Sequence, residues 1–104
     1  MLSDKLRYEI ENEIKNNPIV IYMKGTPDAP QCGFSARSVQ ILQSYNLPIK
    51  SHDILASEEL RQSIKEFTDW PTIPQIFIKG QFVGGCDIIT EMHENGELAQ
   101  LLGL

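Results

Sequence analysis

The chain has 104 residues, of which 41% are hydrophobic, enough to build the modest core of one compact domain without help from disulfides. Its 14 acidic and 9 basic residues give a formal net charge of -5 with no run of Lys or Arg, which argues against nucleic acid as a partner. No stretch approaches the ~20 apolar residues of a membrane span, and the N-terminal segment is too charged for a signal peptide, so we expect one cytoplasmic domain over residues 1–104 without membrane contact.

The first predicted elements are an amphipathic helix and a buried strand. Asn17-Pro18 should end the helix, because proline disfavours helical backbone at the residue before it. The next segment, Ile19–Met23, is an uninterrupted apolar run, which is typical of a strand covered on both faces of a sheet. The helix has an apolar residue at every fourth position: Leu2, Leu6, Ile10 and Ile14.

The next part of the chain predicts a second helix and a second strand. Residues 26–31 have the composition of a loop, and apolar residues at helical spacing follow Cys32 until Pro48 interrupts the pattern. Residues 49–54 suit a strand. A helix that connects two strands favours a parallel pair with a right-handed crossover, so we expect a βαβ unit.

The remaining elements are a helix, a hairpin and a final helix. Ser57 is a candidate N-cap for a third helix, which residues 70–74 should end. Gln75–Ile78 and Gln81–Gly84 flank the turn residues Lys79-Gly80 and predict an antiparallel hairpin. The order helix, βαβ, helix, ββ, helix therefore predicts an α/β thioredoxin fold, with a central four-stranded mixed sheet flanked by helices on both faces.

Cys32 is the strongest candidate for chemistry. It follows a buried strand and a loop and begins a helix, where free backbone N–H groups and the helix dipole favour a thiolate. Lys24 could add positive charge nearby. With only Cys32 and Cys86 present and no signal peptide, a reactive thiol or a metal ligand is a better interpretation than a structural disulfide. Ser35 occupies the position of a resolving cysteine, so this helix start cannot form its own disulfide.

Several short motifs together give a specific resemblance. They are Lys24-Gly25-Thr26-Pro27, Cys32-Gly33-Phe34-Ser35, Trp70-Pro71-Thr72-Ile73-Pro74-Gln75 and Gly84-Gly85-Cys86-Asp87. In this order and spacing, from about residue 17 to the C-terminus, the chain resembles the CGFS-type monothiol glutaredoxins, in their single-domain bacterial and organellar form.

The resemblance implies a glutathione site with a role for each of several residues. Lys24 and Arg61 would hold the carboxylates of the peptide, and the Ile73 backbone would pair with its cysteine. Cys86 and Asp87 would hold the γ-glutamyl end, and the Ile73-Pro74 bond would be cis. An acidic protein needs such local cations and helix-start N–H groups to bind anionic glutathione.

The resemblance also implies that the chain carries iron and sulfur. A [2Fe-2S] cluster usually needs four ligands, and one reactive cysteine cannot supply them, whereas two chains and two glutathiones can. Cys32 would then be both the redox-active residue and the metal ligand of a cluster-bridged homodimer, with Cys86 a contact residue only. The implied partners are BolA-like proteins and apo iron-sulfur acceptors, and the chain would be a carrier first and at most a weak enzyme.

The sequence also admits three alternative functions. The first is a thiol-disulfide oxidoreductase that removes glutathione from proteins with Cys32 alone. The second is a structural metal site built from Cys32, Cys86, His52 and His93, although no pair has the spacing of a zinc half-site. The third is a Cys-His hydrolase, which would use Cys32 with one of the two histidines.

Overall fold

The computed structural model describes residues 2–104. It contains five α-helices, six β-strands and one short 3-10 helix at residues 54–56. The helices are α1 (Asp4–Asn16), α2 (Gly33–Gln43), α3 (Glu58–Thr68), α4 (Cys86–Asn95) and α5 (Glu97–Leu101). The strands are β1 (Ile19–Met23), β2 (Gly25–Thr26), β3 (Ala29–Pro30), β4 (Ile49–Asp53), β5 (Gln75–Ile78) and β6 (Gln81–Gly84).

Four of the strands form one mixed sheet in the order β4-β1-β5-β6. β4 runs parallel to β1, as the βαβ unit predicts, and β5 and β6 form the predicted antiparallel hairpin. Tyr22 on β1 therefore lies between His52 on β4 and Gln75 on β5. This arrangement confirms the predicted thioredoxin-type sheet.

The sheet separates two hydrophobic clusters, because neighbouring side chains of a strand point to opposite faces. Every residue of β1 is buried, as expected for a central strand. One face packs against α2, α4 and α5 through Ile19, Ile21, Met23, Val39, Leu42, Ile76, Ile78, Ile89 and Leu98. The other packs against α1 and α3 through Ile10, Ile14, Val20, Tyr22, Ile54, Ile64 and Phe77.

Three details differ from the sequence-based expectations. The predicted loop before Cys32 contains the short β2-β3 hairpin, in which Gly25 has a φ of 90° and a Cβ would lie 2.5 Å from the Ala29 carbonyl oxygen. The strand predicted over 49–54 ends at Asp53, whose carboxylate accepts a hydrogen bond from Leu55 N and caps the 3-10 helix. The last helix is divided into α4 and α5 at Gly96, where φ is 85°.

The longest helix, α1, has 13 residues. Over residues 2–104 the structure has no helix that combines the length and apolar character required to cross a bilayer. The topology brings the end of β1, the start of α2, the residues before β5 and the start of α4 to one end of the sheet. The candidate site is built there.

Candidate functional site

Cys32 occupies the N-cap position of α2, with an extended backbone (φ -154°). The Ser35 backbone N–H donates a hydrogen bond to the Cys32 sulfur at 3.3 Å. The preceding loop is tied to the end of β1 by the Gln31 N–H, which donates to the Lys24 carbonyl at 2.8 Å. The sulfur is therefore held at the positive end of the helix dipole and is only partly buried.

Ser35 connects the sulfur to the end of β1. Its side chain is fully buried, and its Oγ lies 3.3 Å from the Cys32 Sγ. The same Oγ accepts a hydrogen bond from the Lys24 backbone N–H at 3.1 Å. When Cys32 is a thiol it donates to Ser35, and when it is a thiolate the Ser35 hydroxyl can donate to it instead.

The surroundings of Cys32 favour the thiolate. Partial burial is the largest single influence and raises the pKa of the thiol, because it disfavours the charged form. Hydrogen bonds from the Ser35 hydroxyl and from the Ser35 and Phe34 backbone N–H groups lower the pKa, and so does the charge of Lys24. Together these contributions outweigh burial, and the Cys32 pKa lies below its ordinary value. The structure thus gives Cys32 the character of a nucleophile or metal ligand.

Two adjoining depressions share Phe34, two residues after Cys32, and we call them together the thiol groove, although Cys32 itself is not among their lining residues. Its two halves share Phe34, Thr72 and Ile73. The first half has a volume of about 240 Å³ and the second about 290 Å³. The remaining wall residues are Trp70, Pro74, Gly85, Cys86, Asp87 and Ile88 in the first half, and Lys24, Arg61, Lys65 and Pro71 in the second.

The structure brings the predicted site residues into or beside this groove. Lys24 and Arg61 line the basic half, and Cys86 and Asp87 line the other half. Ile73 lies between them, and its peptide bond to Pro74 is cis. The Arg61 Nε is buried and has no hydrogen-bond partner among residues 2–104. Such a group is costly to leave unpaired, and the guanidinium of Arg61, a residue that lines the basic half of the groove, suits an anion.

The first turn of α4 forms a wall of the first half of the thiol groove, the half that contains Cys86 and Asp87. Gly84 has a φ of 146°, and a Cβ there would lie 2.9 Å from the Ile88 side chain, so the tight approach requires glycine. Gly85 is the N-cap and provides no side chain to bond the first N–H groups of α4. Cys86 is 7% exposed, and its sulfur lies 3.9 Å from the Thr90 Oγ1. Asp87 is exposed beside it.

Sequence analysis did not single out Gln75, which shapes the segment before β5. Its side chain is fully buried, and Nε2 donates to the carbonyls of Trp70 at 2.9 Å and Thr72 at 3.2 Å. Its Oε1 accepts from the Thr68 hydroxyl at 2.9 Å. A polar residue at the head of an otherwise apolar strand was the available signal. Phe34 was noted only as part of a motif, yet its ring is 65% exposed and lines both halves of the groove.

The two histidines lie away from the thiol groove. His52 is on β4 and stacks on Tyr22, with ring centroids 4.9 Å apart. His93 is on α4, and its Nδ1 lies 2.6 Å from the Tyr45 hydroxyl oxygen. Among residues 2–104, no three His, Cys, Asp or Glu side chains come together as a metal site would require. The structure therefore does not assemble the four-residue metal site or a Cys-His pair.

Comparison with known proteins identifies the family. Residues 19–83 match the Glutaredoxin family profile. The mitochondrial monothiol glutaredoxin-S15 of Arabidopsis thaliana is 56% identical over 96% of this chain, and a probable monothiol glutaredoxin 2 of Rickettsia felis is 52% identical over 89%. The chain spans 89% of the Rickettsia protein but only 59% of the Arabidopsis protein. The predicted single-domain organisation therefore stays a prediction, as does the cytoplasmic location, since several relatives carry mitochondrial or chloroplastic names.

Solved structures share the fold. The reduced apo form of GrxS14 from poplar has a TM-score of 0.84 and is 47% identical, over 94% of this chain and 90% of that one. A buckwheat glutaredoxin solved as a complex with glutathione has a TM-score of 0.81 at 22% identity, over 93% of this chain and 86% of that one. The resemblance seen in the sequence motifs is thereby confirmed: the chain belongs to the monothiol glutaredoxins and has their thioredoxin fold.

Proposed function

We propose that this protein carries a [2Fe-2S] cluster between two copies of the chain and passes it to apo iron-sulfur proteins. Each copy would contribute the Cys32 thiolate and hold one glutathione, whose thiolate supplies a further ligand. The cluster is cargo in this scheme. The main work of the chain is to bind, orient and release it.

The environment of Cys32 carries the proposal. The thiol has a lowered pKa and sits at a helix start, and Ser35 replaces the partner with which it could form a local disulfide. Cys86 is almost entirely buried, which favours a contact role over iron ligation. One available thiolate per chain falls short of the four ligands that the cluster needs, so a second chain and two external thiols complete the set.

The shape and charge of the thiol groove support glutathione as the external thiol. Lys24 and Arg61 suit its carboxylates, and the buried Arg61 Nε would gain the acceptor it lacks. The free N–H groups at the start of α4 suit the γ-glutamyl carboxylate, and Asp87 suits its ammonium. The Ile73 backbone lies between these ends, where the central cysteine of the peptide would pair with it.

Exposed apolar side chains beside the thiol support transient docking of other proteins. Phe34 is 65% exposed and Trp70 is 38% exposed, and both line the groove. Aromatic residues at a surface are typical anchors of protein interfaces. We assign this edge to the second copy of the chain, to BolA-like proteins and to cluster acceptors in turn.

The alternative function is removal of glutathione from proteins, and the lowered pKa of Cys32 favours it. The Cys32 thiolate would attack the glutathione sulfur of a mixed disulfide, forming a Cys32-glutathione disulfide and releasing the protein thiolate, which takes up a proton. A second glutathione thiolate would then attack this disulfide, yielding oxidised glutathione and free Cys32. Ser35 cannot resolve the intermediate, so this reaction depends on glutathione throughout.

Anaerobic reconstitution of two cysteine variants with iron, sulfide and glutathione tests the assignment. Cys32→Ser should abolish cluster absorption, while Cys86→Ser should keep most of it, because only Cys32 has the activated sulfur. Iron per chain is the measurement, and release of glutathione from a glutathionylated peptide is assayed on the same samples. Equal iron loss in both variants would contradict the ligand assignment, and a wild-type chain that stays colourless but deglutathionylates the peptide rapidly would favour the alternative.

A further inference from the structure

A second cleft lies between α1, β4 and the start of α3, on the face of the sheet that α1 and α3 cover, and we call it the α1 cleft. Its volume is about 350 Å³. It shares no lining residue with the thiol groove. The residues that line it are Leu6, Tyr8, Glu9, Ile10, Asn12, Glu13, Tyr22, His52, Ser57 and Leu60.

The floor of the α1 cleft contains two polar groups without partners. Tyr22 is 1% exposed, and its hydroxyl makes no hydrogen bond within residues 2–104. The His52 Nε2 is buried and likewise lacks a hydrogen bond within this part of the chain. A buried nitrogen without a partner, such as the His52 Nε2, is uncommon in folded proteins, because it loses its hydration without compensation. Both residues line the cleft, so a ligand bound there would lie next to these polar groups.

The charge of the cleft is predominantly negative. The Glu13 Oε1 lies 3.9 Å from the His52 Nε2, beyond hydrogen-bond distance, while its Oε2 accepts from the Asn17 side-chain amide at 3.1 Å. Glu9 provides a second carboxylate one helical turn away. The positive charge that acts on His52 is that of Lys50, two residues earlier on β4. The cleft therefore has acceptors and negative charge in excess of its donors.

Tyr22 and His52 both remain uncharged at neutral pH. Burial lowers the pKa of His52 more than Glu13 raises it, so the imidazole is neutral, and in its Nδ1–H tautomer the Nε2 accepts a hydrogen bond. Burial, reinforced by Glu13, raises the pKa of Tyr22, which keeps the phenol protonated. The α1 cleft thus contains uncharged hydrogen-bond acceptors on Tyr22 and His52, and the carboxylates of Glu9 and Glu13 line the same cleft.

We propose that the α1 cleft binds an alkylguanidinium group. A planar head with five donors fits acceptors that are spread over Glu13, Tyr22 and His52, whereas an ammonium ion presents three donors from a single, strongly hydrated point. The apolar side chains of Leu6, Ile10 and Leu60 would cover the alkyl stem. The group comes either from a small guanidinium compound or from an arginine of another protein.

Titration of the full apo chain with N-butylguanidine, followed by amide and side-chain NMR shifts, tests this proposal. Shifts should concentrate at the residues lining the α1 cleft and should be weaker with n-butylamine at equal concentration. Glu13→Gln should weaken binding about fivefold or more, because it removes the nearest charge but little volume. Tyr22→Phe should also weaken binding, while Lys50→Gln should strengthen it by removing repulsion.

A short uncharged peptide with one central arginine distinguishes the two sources. Tighter binding of the peptide than of N-butylguanidine would support a protein segment as the natural ligand, and equal binding would support a small compound. The proposal is overturned if the cleft residues do not shift at tens of millimolar N-butylguanidine, if butylamine binds as well, or if Glu13→Gln and Tyr22→Phe both leave affinity unchanged. Unchanged chemical-shift dispersion in each variant verifies that it is folded.

Discussion

At the scale of single residues, the Ser35 hydroxyl has two consequences for Cys32. It denies the sulfur a local disulfide partner, and it lies 3.3 Å from that sulfur, where it lowers the pKa of the thiol. A cysteine in its place would supply a resolving thiol, but a serine stabilises the thiolate without consuming it. Cys32 therefore remains available to an external thiol or to iron.

Replacing Ser35 by Ala should raise the pKa of Cys32. The hydroxyl that favours the thiolate is lost, so the midpoint of the pH profile for iodoacetamide alkylation should move to higher pH. The profile is measured in a Cys86→Ser background so that only Cys32 reacts. Ser38→Ala is the matched control, since Ser38 is also buried in α2 but its Oγ has no hydrogen bond within residues 2–104. Equal shifts in both variants would show that the Ser35 hydroxyl is not responsible.

Lys24→Ala and Arg61→Ala should each weaken glutathione binding about tenfold, since a charge-assisted hydrogen bond contributes ~1.5–3 kcal/mol. Both side chains line the basic half of the thiol groove, and neither belongs to a core cluster, so the fold should survive. Titration calorimetry measures the affinity. Lys5→Ala, an exposed change on α1, is the control for loss of a positive charge. Unchanged affinity in both groove variants would rule out this glutathione site.

At the scale of elements, Gln75 holds the end of α3 and the start of β5 in one arrangement. Three hydrogen bonds join its buried amide to Thr68, Trp70 and Thr72. These bonds fix the backbone that precedes the cis Ile73-Pro74 bond and forms one wall of the thiol groove. The position of this wall therefore depends on Gln75, whose side chain is buried in the interior of the protein.

Gln75→Leu should lower the free energy of unfolding by about 2–3 kcal/mol, because it leaves buried polar partners unsatisfied. It should also reduce glutathione affinity, since the Trp70–Pro74 segment loses its support. Urea unfolding measures the first effect and calorimetry the second. Gln62→Leu is the control: this glutamine is exposed on α3 and bonds only Glu58 among the described residues, so its loss should change stability by no more than about 0.5 kcal/mol. A stable Gln75→Leu variant would contradict this account.

The main elements were predictable because their periodicity and end signals agree with the final packing. Ser57 caps α3 by accepting from Leu60 N, and α1 ends just before Asn17-Pro18. The β2-β3 hairpin was missed because its two-residue strands carry no hydrophobic pattern. The interactions of Gln75 were missed because they depend on carbonyl groups that only the fold brings together.

At the scale of the whole molecule, the sheet order gathers the thiol groove from four distant parts of the sequence. The motifs around Lys24, Cys32, Ile73 and Cys86 were predicted from the sequence by their resemblance to a family. Their meeting in one groove follows from β1 lying beside β5 and from α4 following β6. The α1 cleft could not be predicted, because the walls of the cleft and the unpaired His52 Nε2 are visible only in the folded structure.

The protein has a negative net charge, whereas the basic half of the thiol groove is lined by the positively charged residues Lys24, Arg61 and Lys65. Two acidic chains repel each other, so a cluster with its two glutathiones would have to supply the link between them. Dimerisation should therefore depend on cluster content and on glutathione, since a ligand shared by two chains stabilises only their complex.

Sedimentation velocity of the reconstituted protein, with iron and glutathione assayed on the same sample, shows whether the cluster links two chains. We expect a monomeric apo chain and a holo dimer with two irons and two non-covalent glutathiones, and the dimer and cluster should disappear together when glutathione is removed. A stable holo monomer, or a cluster that survives complete removal of glutathione without another thiol, would contradict the shared-cluster mechanism.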